Sequence, residues 1–324
     1  MKIGVVGAGA LGGYYGGKLC RNGSEVHLLL RTDFEAVKTK GLLICSPNGN
    51  FTVRPQIHLS PRAIGKCDLV LVCLKTTSND RYEELIAPLV KKSTVILCLQ
   101  NGLGNCERLA ELFGAGKIMG GLCFVCLNRT APGVVRHVAF GKVILGEHIG
   151  QPQARTRATA EMFERAGVPC DVVEKLECGL WEKLVWNIPF NGLGVAGAAG
   201  LEALVSKGKT MPRQLGNTLS ADCLLGDSEW EQHIRMLMQE LISVANAKGI
   251  ALEPELVGRM IERTRTMGSY RASTVIDFEN GRLIELESMF LEPLRQARES
   301  GVAVPHLEAL CIVLEELTRY LPRP

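Results

Sequence analysis

Lys183, Asn187 and Asn191 recur at i, i+4 and i+8 within Trp181-Glu182-Lys183-Leu184-Val185-Trp186-Asn187-Ile188-Pro189-Phe190-Asn191. On a helix that spacing sets one ammonium and two carboxamides on a single face. Apolar Leu184, Val185, Ile188 and Phe190 surround them, and polar groups in such company are costly unless each has a partner. A small molecule carrying a carboxylate and a carbonyl would supply partners. Another helix would do so too, and spacing alone leaves both open. Pro189 removes one backbone hydrogen bond and is expected to kink the helix near Val185.

A second chemical signal stands at the amino end. Ile3, Val5 and Val6 form a short apolar run, followed at once by Gly7-Ala8-Gly9-Ala10-Leu11-Gly12. A helix-length stretch and a second apolar run, Val26 to Leu30, come next. Strand, glycine turn, helix and strand in that order fit the dinucleotide fingerprint G-x-G-x-x-G. Gly7 permits the tight turn, Gly9 lets the backbone approach a pyrophosphate, and Gly12 lets the helix pack close. The helix N-terminus offers its unpaired N–H groups to the phosphates. Gly13, Gly16 and Gly17 weaken the same helix, so either close packing or a ligand must explain them.

The end of the second strand speaks to the cofactor. An NAD site places Asp or Glu about 20 residues past the fingerprint, on the ribose 2′-hydroxyl. This chain has Arg31 there, which suits the 2′-phosphate of NADP(H). Asp33, two residues on, keeps NAD open. Two further strand ends carry polar groups where a doubly wound sheet binds its ligand. Lys75 follows the run Asp68 to Leu74, and Asn101 follows Thr94 to Leu99 within Gln100-Asn101-Gly102. Both are candidate contacts on the nicotinamide side.

Helices are expected over Asp33 to Lys40, Asn79 to Lys91 and Pro152 to Ala166. A hairpin is expected across Leu42-Leu43-Ile44-Cys45 and Phe51-Thr52-Val53, around Ser46-Pro47-Asn48-Gly49-Asn50. Short strands are expected near Gly121 to Leu127, Gly133 to Val138, Val143 to Leu145 and Cys170 to Val173. From Glu174 the pattern is helical, with long segments such as Gln232 to Lys248 and Leu286 to Glu299. The fold class is α/β: an N-terminal Rossmann-type doubly wound sheet over 1–174, then an all-helical domain over 175–324.

Composition narrows the classes. The chain has 324 residues, 46% hydrophobic and 22% charged, which is a packed two-domain protein. A net charge of +3 gives no case for a nucleic-acid partner. Its twelve cysteines are scattered, mostly in apolar runs. No disulfide framework shows, so a reducing cytoplasm is expected. Cys123 and Cys126 point to opposite faces of a strand, the histidines form no cluster, and no metal is expected. The first strand begins at residue 3, leaving no expected leader. Val185 to Val205 is apolar but interrupted by Asn187, Pro189, Asn191 and Glu202, so it reads as a buried helix and not a membrane span. Ser273, Asp277 and Glu285, taken alone, read as solvated helix residues.

Together these motifs resemble the ketopantoate reductase (2-dehydropantoate 2-reductase) family over nearly the whole chain. The resemblance rests on the glycine fingerprint, Arg31, Leu74-Lys75-Thr76, Gln100-Asn101-Gly102, the Lys183, Asn187 and Asn191 stripe, and Ser273 with Glu285 twelve residues later. It implies an NADPH enzyme that reduces a small 2-keto acid, ketopantoate, to pantoate on the route to pantothenate and coenzyme A. Lys183 then serves as general acid toward the ketone oxygen, its pKa lowered by partial burial. Glu285 holds the lysine or the cofactor. Asn187, Asn191 and Ser273 bind substrate, as does Asn101. Arg31, Lys75, Asn101 and, more loosely, Cys126 contact the cofactor. The chain departs from the family pattern on the substrate side. Glu285-Leu286-Glu287-Ser288-Met289-Phe290 replaces an Ile-Asp-Tyr continuation after the glutamate. Leu201 stands near a family asparagine, and Ala272-Ser273-Thr274 replaces Ser-Ser-Met. A reductase of another 2-keto acid therefore stays open, as does a non-catalytic NADP(H) sensor. A homodimer is left open too.

Overall fold

A computed structural model describes residues 1–321. The chain divides into two compact units, Met1–Leu176 and Glu177–Pro324. The first unit runs β1 (Lys2–Val6), α1 (Ala10–Arg21), β2 (Glu25–Leu29), α2 (Phe34–Lys40), β3 (Leu42–Cys45), β4 (Phe51–Val53), β5 (Gln56–His58) and α3 (Pro61–Ile64). It continues through β6 (Leu69–Val72), α4 (Tyr82–Ile86), β7 (Val95–Cys98), α5 (Asn105–Phe113), β8 (Ile118–Ala131), β9 (Val134–Glu147), α6 (Ala154–Arg165) and β10 (Cys170–Val172).

Six strands run parallel in the order β5-β2-β1-β6-β7-β8. Counted along the chain, that is the 3-2-1-4-5-6 order of a dinucleotide-binding sheet, with its switch point between β1 and β6. Alternation along each strand splits the core in two. Ile3, Val5, Leu69 and Leu71 pack with Tyr15 and Leu19 of α1 and Phe163 of α6. Val6, Val70 and Val72 pack on the other face with Tyr82, Leu85 and Leu109. Both faces are covered, so these strands read as continuous apolar runs.

The sheet becomes mixed beyond β8. There β9 pairs antiparallel with β8, and β3 and β10 pair parallel with β9. The three short strands expected across residues 121–145 are two 14-residue strands of one hairpin. Register shifts at Phe124/Val125 and Cys126/Leu127 break the two-residue period that would have announced them. The turn joins Ala131 to Val134 through Pro132 and Gly133, and Gly133 has φ +72° as the third residue of a type II turn demands. The helix expected over Asn79 to Lys91 is broken: a 3₁₀ turn at Thr76–Arg81, then α4, then a second 3₁₀ turn at Ala87–Leu89 holding Pro88.

The second unit is helical: α7 (Leu176–Ala196), α8 (Leu201–Val205), α9 (Ala221–Gly226), α10 (Ser228–Ala247), α11 (Leu256–Arg265), α12 (Ser273–Glu279), α13 (Glu292–Glu299) and α14 (Pro305–Thr318). Pro189 lies inside α7 without ending it. Small residues near the end of α7 admit its neighbours. A Cβ at Gly192 would stand 2.6 Å from Leu310 of α14, and one at Gly194 would stand 2.5 Å from Val275 of α12. The single helix expected over Leu286 to Glu299 is instead a π turn, Glu287–Leu291, followed by α13. Pro293 cannot donate to the preceding turn, and a π turn absorbs that mismatch.

Candidate active site

The glycines of the β1–α1 turn have different reasons to be there. Gly7 has φ +93°, and a Cβ on it would stand 2.4 Å from the Leu74 nitrogen at the end of β6. At Gly12 a Cβ would stand 2.5 Å from the Gly7 carbonyl oxygen and 2.9 Å from Val5. The fold itself demands both. Gly9 is exposed, has φ −78°, and a Cβ there would meet nothing within 4 Å. No neighbour among the described residues excludes a side chain at Gly9, so the open space before α1 fits a ligand that must come close to the backbone. The Gly13 N–H closes the first helical turn on the Gly9 carbonyl at 3.0 Å. Ala10, Leu11 and Gly12 therefore hold the outward N–H groups of the helix start, while Ala8 sits half-buried in the turn itself. Gly13, Gly16 and Gly17 are packing residues: added Cβ atoms would press on Val135, Leu28 and Ile44 at 3.0, 3.1 and 3.3 Å. The residues present fit a dinucleotide pyrophosphate.

Arg31 is exposed just past β2 and has no protein acceptor among the described residues. Asp33 is buried, and its four acceptor positions are filled. Its Oδ1 accepts from Thr32 Oγ1 at 3.0 Å and Arg129 Nη2 at 2.6 Å, and its Oδ2 from Arg129 Nε at 2.9 Å and the Gly133 N–H at 3.0 Å. Burial pushes its carboxyl pKa up, but the hydrogen bonds from Arg129, Gly133 and Thr32 prevail and hold it below the ordinary value. Asp33 has no lone pair left for a ribose hydroxyl, which leaves Arg31 as the group on offer at this strand end. Sequence spacing gave no sign of Arg129, which lies 96 residues away on the hairpin.

Lys75 is exposed between β6 and the 3₁₀ turn, and Asn101 is half-buried beyond β7. A chain of amides ties the two strand ends together. Tyr82 Oη donates to Gln100 Oε1 at 2.5 Å, and Gln100 Nε2 to Asn79 Oδ1 at 2.9 Å. Asn79 Nδ2 donates to Asn105 Oδ1 at 2.7 Å, and Asn105 Nδ2 to the Asn101 carbonyl at 2.9 Å. Each amide donates forward and accepts behind, which fixes every orientation. Gly102 and Gly104, at φ +84° and +80°, give the loop the left-handed turns it needs. Cys126 is half-buried on β8 beside a register shift. Among the described residues no cluster of three His, Cys, Asp or Glu could hold a metal.

In the second unit, Lys183, Asn187 and Asn191 share one face of α7, as their spacing requires. Exposure falls along that stripe: Lys183 is half-buried, Asn187 is 8% exposed and Asn191 2%. Trp186, on the flank of that stripe, stacks on Phe190 and donates to Thr264 Oγ1 at 2.8 Å. Asn191 bonds within the protein. Its Nδ2 donates to the Asn187 carbonyl at 2.9 Å, and its Oδ1 accepts from the Thr274 N–H at 2.9 Å and Ser273 Oγ at 3.4 Å. It thus caps α12, whose own N-cap residue, Ala272, cannot. Ser273 is exposed beside it. Glu285 is buried rather than solvated and lies just before the π turn, a feature frequent at functional sites.

Residues 3–150 match the family described as ketopantoate reductase PanE/ApbA, and residues 215–318 its C-terminal counterpart. A 2-dehydropantoate 2-reductase of Nostoc sp. is 37% identical over 316 residues, which is 95% of this chain and 92% of that protein. The crystal structure of 2-dehydropantoate 2-reductase from Geobacter metallireducens is 44% identical at a TM-score of 0.88, covering 98% of this chain and 99% of that one. The corresponding structure from Methylococcus capsulatus is 31% identical at a TM-score of 0.85, covering 100% and 99%. With matches of this extent over both units, the chain belongs to the ketopantoate reductase PanE/ApbA family.

Proposed function

We propose that this protein reduces the keto group of 2-dehydropantoate to give pantoate, using NADPH. One observation carries the reading: an open glycine cradle of dinucleotide type and a lysine–asparagine stripe occur in one chain of this family. Gly7 to Gly12 bind the pyrophosphate through backbone N–H groups, and Arg31 binds the 2′-phosphate. Lys75, Asn101 and Cys126 line the nicotinamide side. Bound NADPH supplies the hydride. Lys183 hydrogen-bonds the ketone oxygen and gives it a proton, so that no alkoxide is left uncompensated. Asn187 and Ser273 bind the substrate, Asn191 holds Ser273 in place, and Glu285 orients Lys183. The cofactor residues belong to the first unit and the proton donor to the second, which makes these the nucleotide-binding and substrate-binding parts.

The test is NADPH oxidation with 2-dehydropantoate. Lys183→Ala is expected to lower kcat about 10²–10⁴-fold, the usual worth of a general acid, with NADPH affinity kept. Full activity in that variant rejects the mechanism. Arg31→Ala is expected to weaken NADPH far more than NADH; equal losses reject the 2′-phosphate role. A different 2-keto acid is the second reading. It is favoured by Leu201 opening α8, and by Leu286 and Glu287 after Glu285. A panel of 2-keto acids run with NADPH and NADH separates the two.

A further inference from the structure

We propose that Arg129 is a second guanidinium of the 2′-phosphate subsite, held in place by Asp33. The inference rests on the reading of NADPH as cofactor. Residue 33 lies near the end of β2, where an NAD-binding sheet keeps its ribose-binding acid. Here that acid has been turned inward. Each of its oxygens accepts two hydrogen bonds, from Arg129 Nε and Nη2, from the Gly133 N–H and from Thr32 Oγ1. Asp33 is also the N-cap residue of α2, yet its side chain makes no cap bond. Its carboxylate serves the hairpin instead.

The result is a fork fixed at the β2 end. Arg129 engages Asp33 through Nε and Nη2, and its Nη2 reaches Thr32 Oγ1 at 3.4 Å, beside Arg31. Its Nη1 meets no protein acceptor among the described residues, and the side chain keeps 34% of its exposure. A guanidinium pinned along one edge presents the other edge to an anion in a single orientation. Arg31 and Arg129 against one Asp33 leave a net charge of +1, suited to a phosphate dianion and without counterpart in NADH. The Pro132–Gly133 turn keeps Arg129 there, because the Gly133 N–H is bound to the same carboxylate and its carbonyl accepts from the Leu43 N–H at 2.9 Å.

Calorimetric binding of adenosine 2′,5′-bisphosphate and 5′-AMP to the purified protein tests this without turnover. Arg129→Gln is expected to weaken the bisphosphate about tenfold, as loss of a charged hydrogen bond should, and 5′-AMP by less than about twofold. Asp33→Ala, which frees the fork, should show the same selective loss. Loss of 5′-AMP binding in Asp33→Ala instead makes Asp33 the ribose acceptor and overturns the proposal. Arg31→Ala is the internal control. If it is selective and Arg129→Gln is not, Arg129 has no such role and the NADPH reading stands. If neither is selective, that reading falls as well. Should Arg129→Gln melt as unfolded, Arg129→Lys carries the test. It keeps the charge without the fork, so weakened bisphosphate binding is expected, and wild-type affinity overturns the proposal.

Discussion

Asn191 Oδ1 stands 2.9 Å from the Thr274 backbone nitrogen, 83 residues further along the chain. That bond makes the last member of the α7 stripe a helix cap. Asn191→Ala removes the cap and leaves a buried N–H unpaired, a loss of about 1–3 kcal/mol. We expect the melting temperature to fall by roughly 2–12 °C and KM to rise as Ser273 loses its neighbour. A variant with an unchanged melting curve rules out the cap.

The three fingerprint glycines should separate in a simple experiment. Gly9→Ala adds a methyl group to open space. It should melt like the wild type while binding NADPH at least about tenfold more weakly. Gly7→Ala and Gly12→Ala force a methyl group against backbone atoms at 2.4 and 2.5 Å, so both should lose stability before any question of cofactor arises. A Gly9→Ala protein with full NADPH affinity contradicts the cradle.

Asn79 sits in the middle of the amide chain, accepting from Gln100 and donating to Asn105. Asn79→Ala strands one donor and one acceptor at about 1–3 kcal/mol each. It also loosens the Asn101 carbonyl at the far end. We expect kcat to drop severalfold beyond any change in NADPH affinity. Asn79→Asp should fail to rescue, since it cannot donate to Asn105. Rescue by that variant argues against the assigned direction of the bonds.

Asp33 gives a pH dependence of known sign. Its folded pKa lies below the ordinary 3.8. The stabilisation is therefore fully present above that value and is lost only as pH falls through the lower, folded value. Asp33→Asn should melt roughly 3–12 °C below the wild type at pH 7, from about 1.5–3 kcal/mol of lost charged hydrogen bonding. The gap should close only below about pH 4. A gap that closes between pH 5 and 7 implicates another group.

The parallel strands β1, β2, β6 and β7 were legible because each is buried on both faces and reads as an apolar run between turn residues. The β8–β9 hairpin was not, since its bulges interrupt the period and its far half is polar. The continuity of α4 was overestimated because apolar spacing does not register the 3₁₀ turns at its two ends, and the π turn before α13 is equally silent.

The sequence by itself determined the glycine cradle, the shared face of Lys183, Asn187 and Asn191, and the arginine at the end of β2. All of these follow from local spacing, where a fixed rise per residue turns sequence separation into direction. Only the tertiary structure decided what the polar groups are used for. It committed Asn191 to Thr274, Asp33 to Arg129 and Gly133, and Asn79 to Asn105, and it buried Glu285. Hydrogen bonds across 83 and 96 residues leave no periodic trace. They exist because a buried acceptor must be paired, and the fold determines which distant donor is within reach.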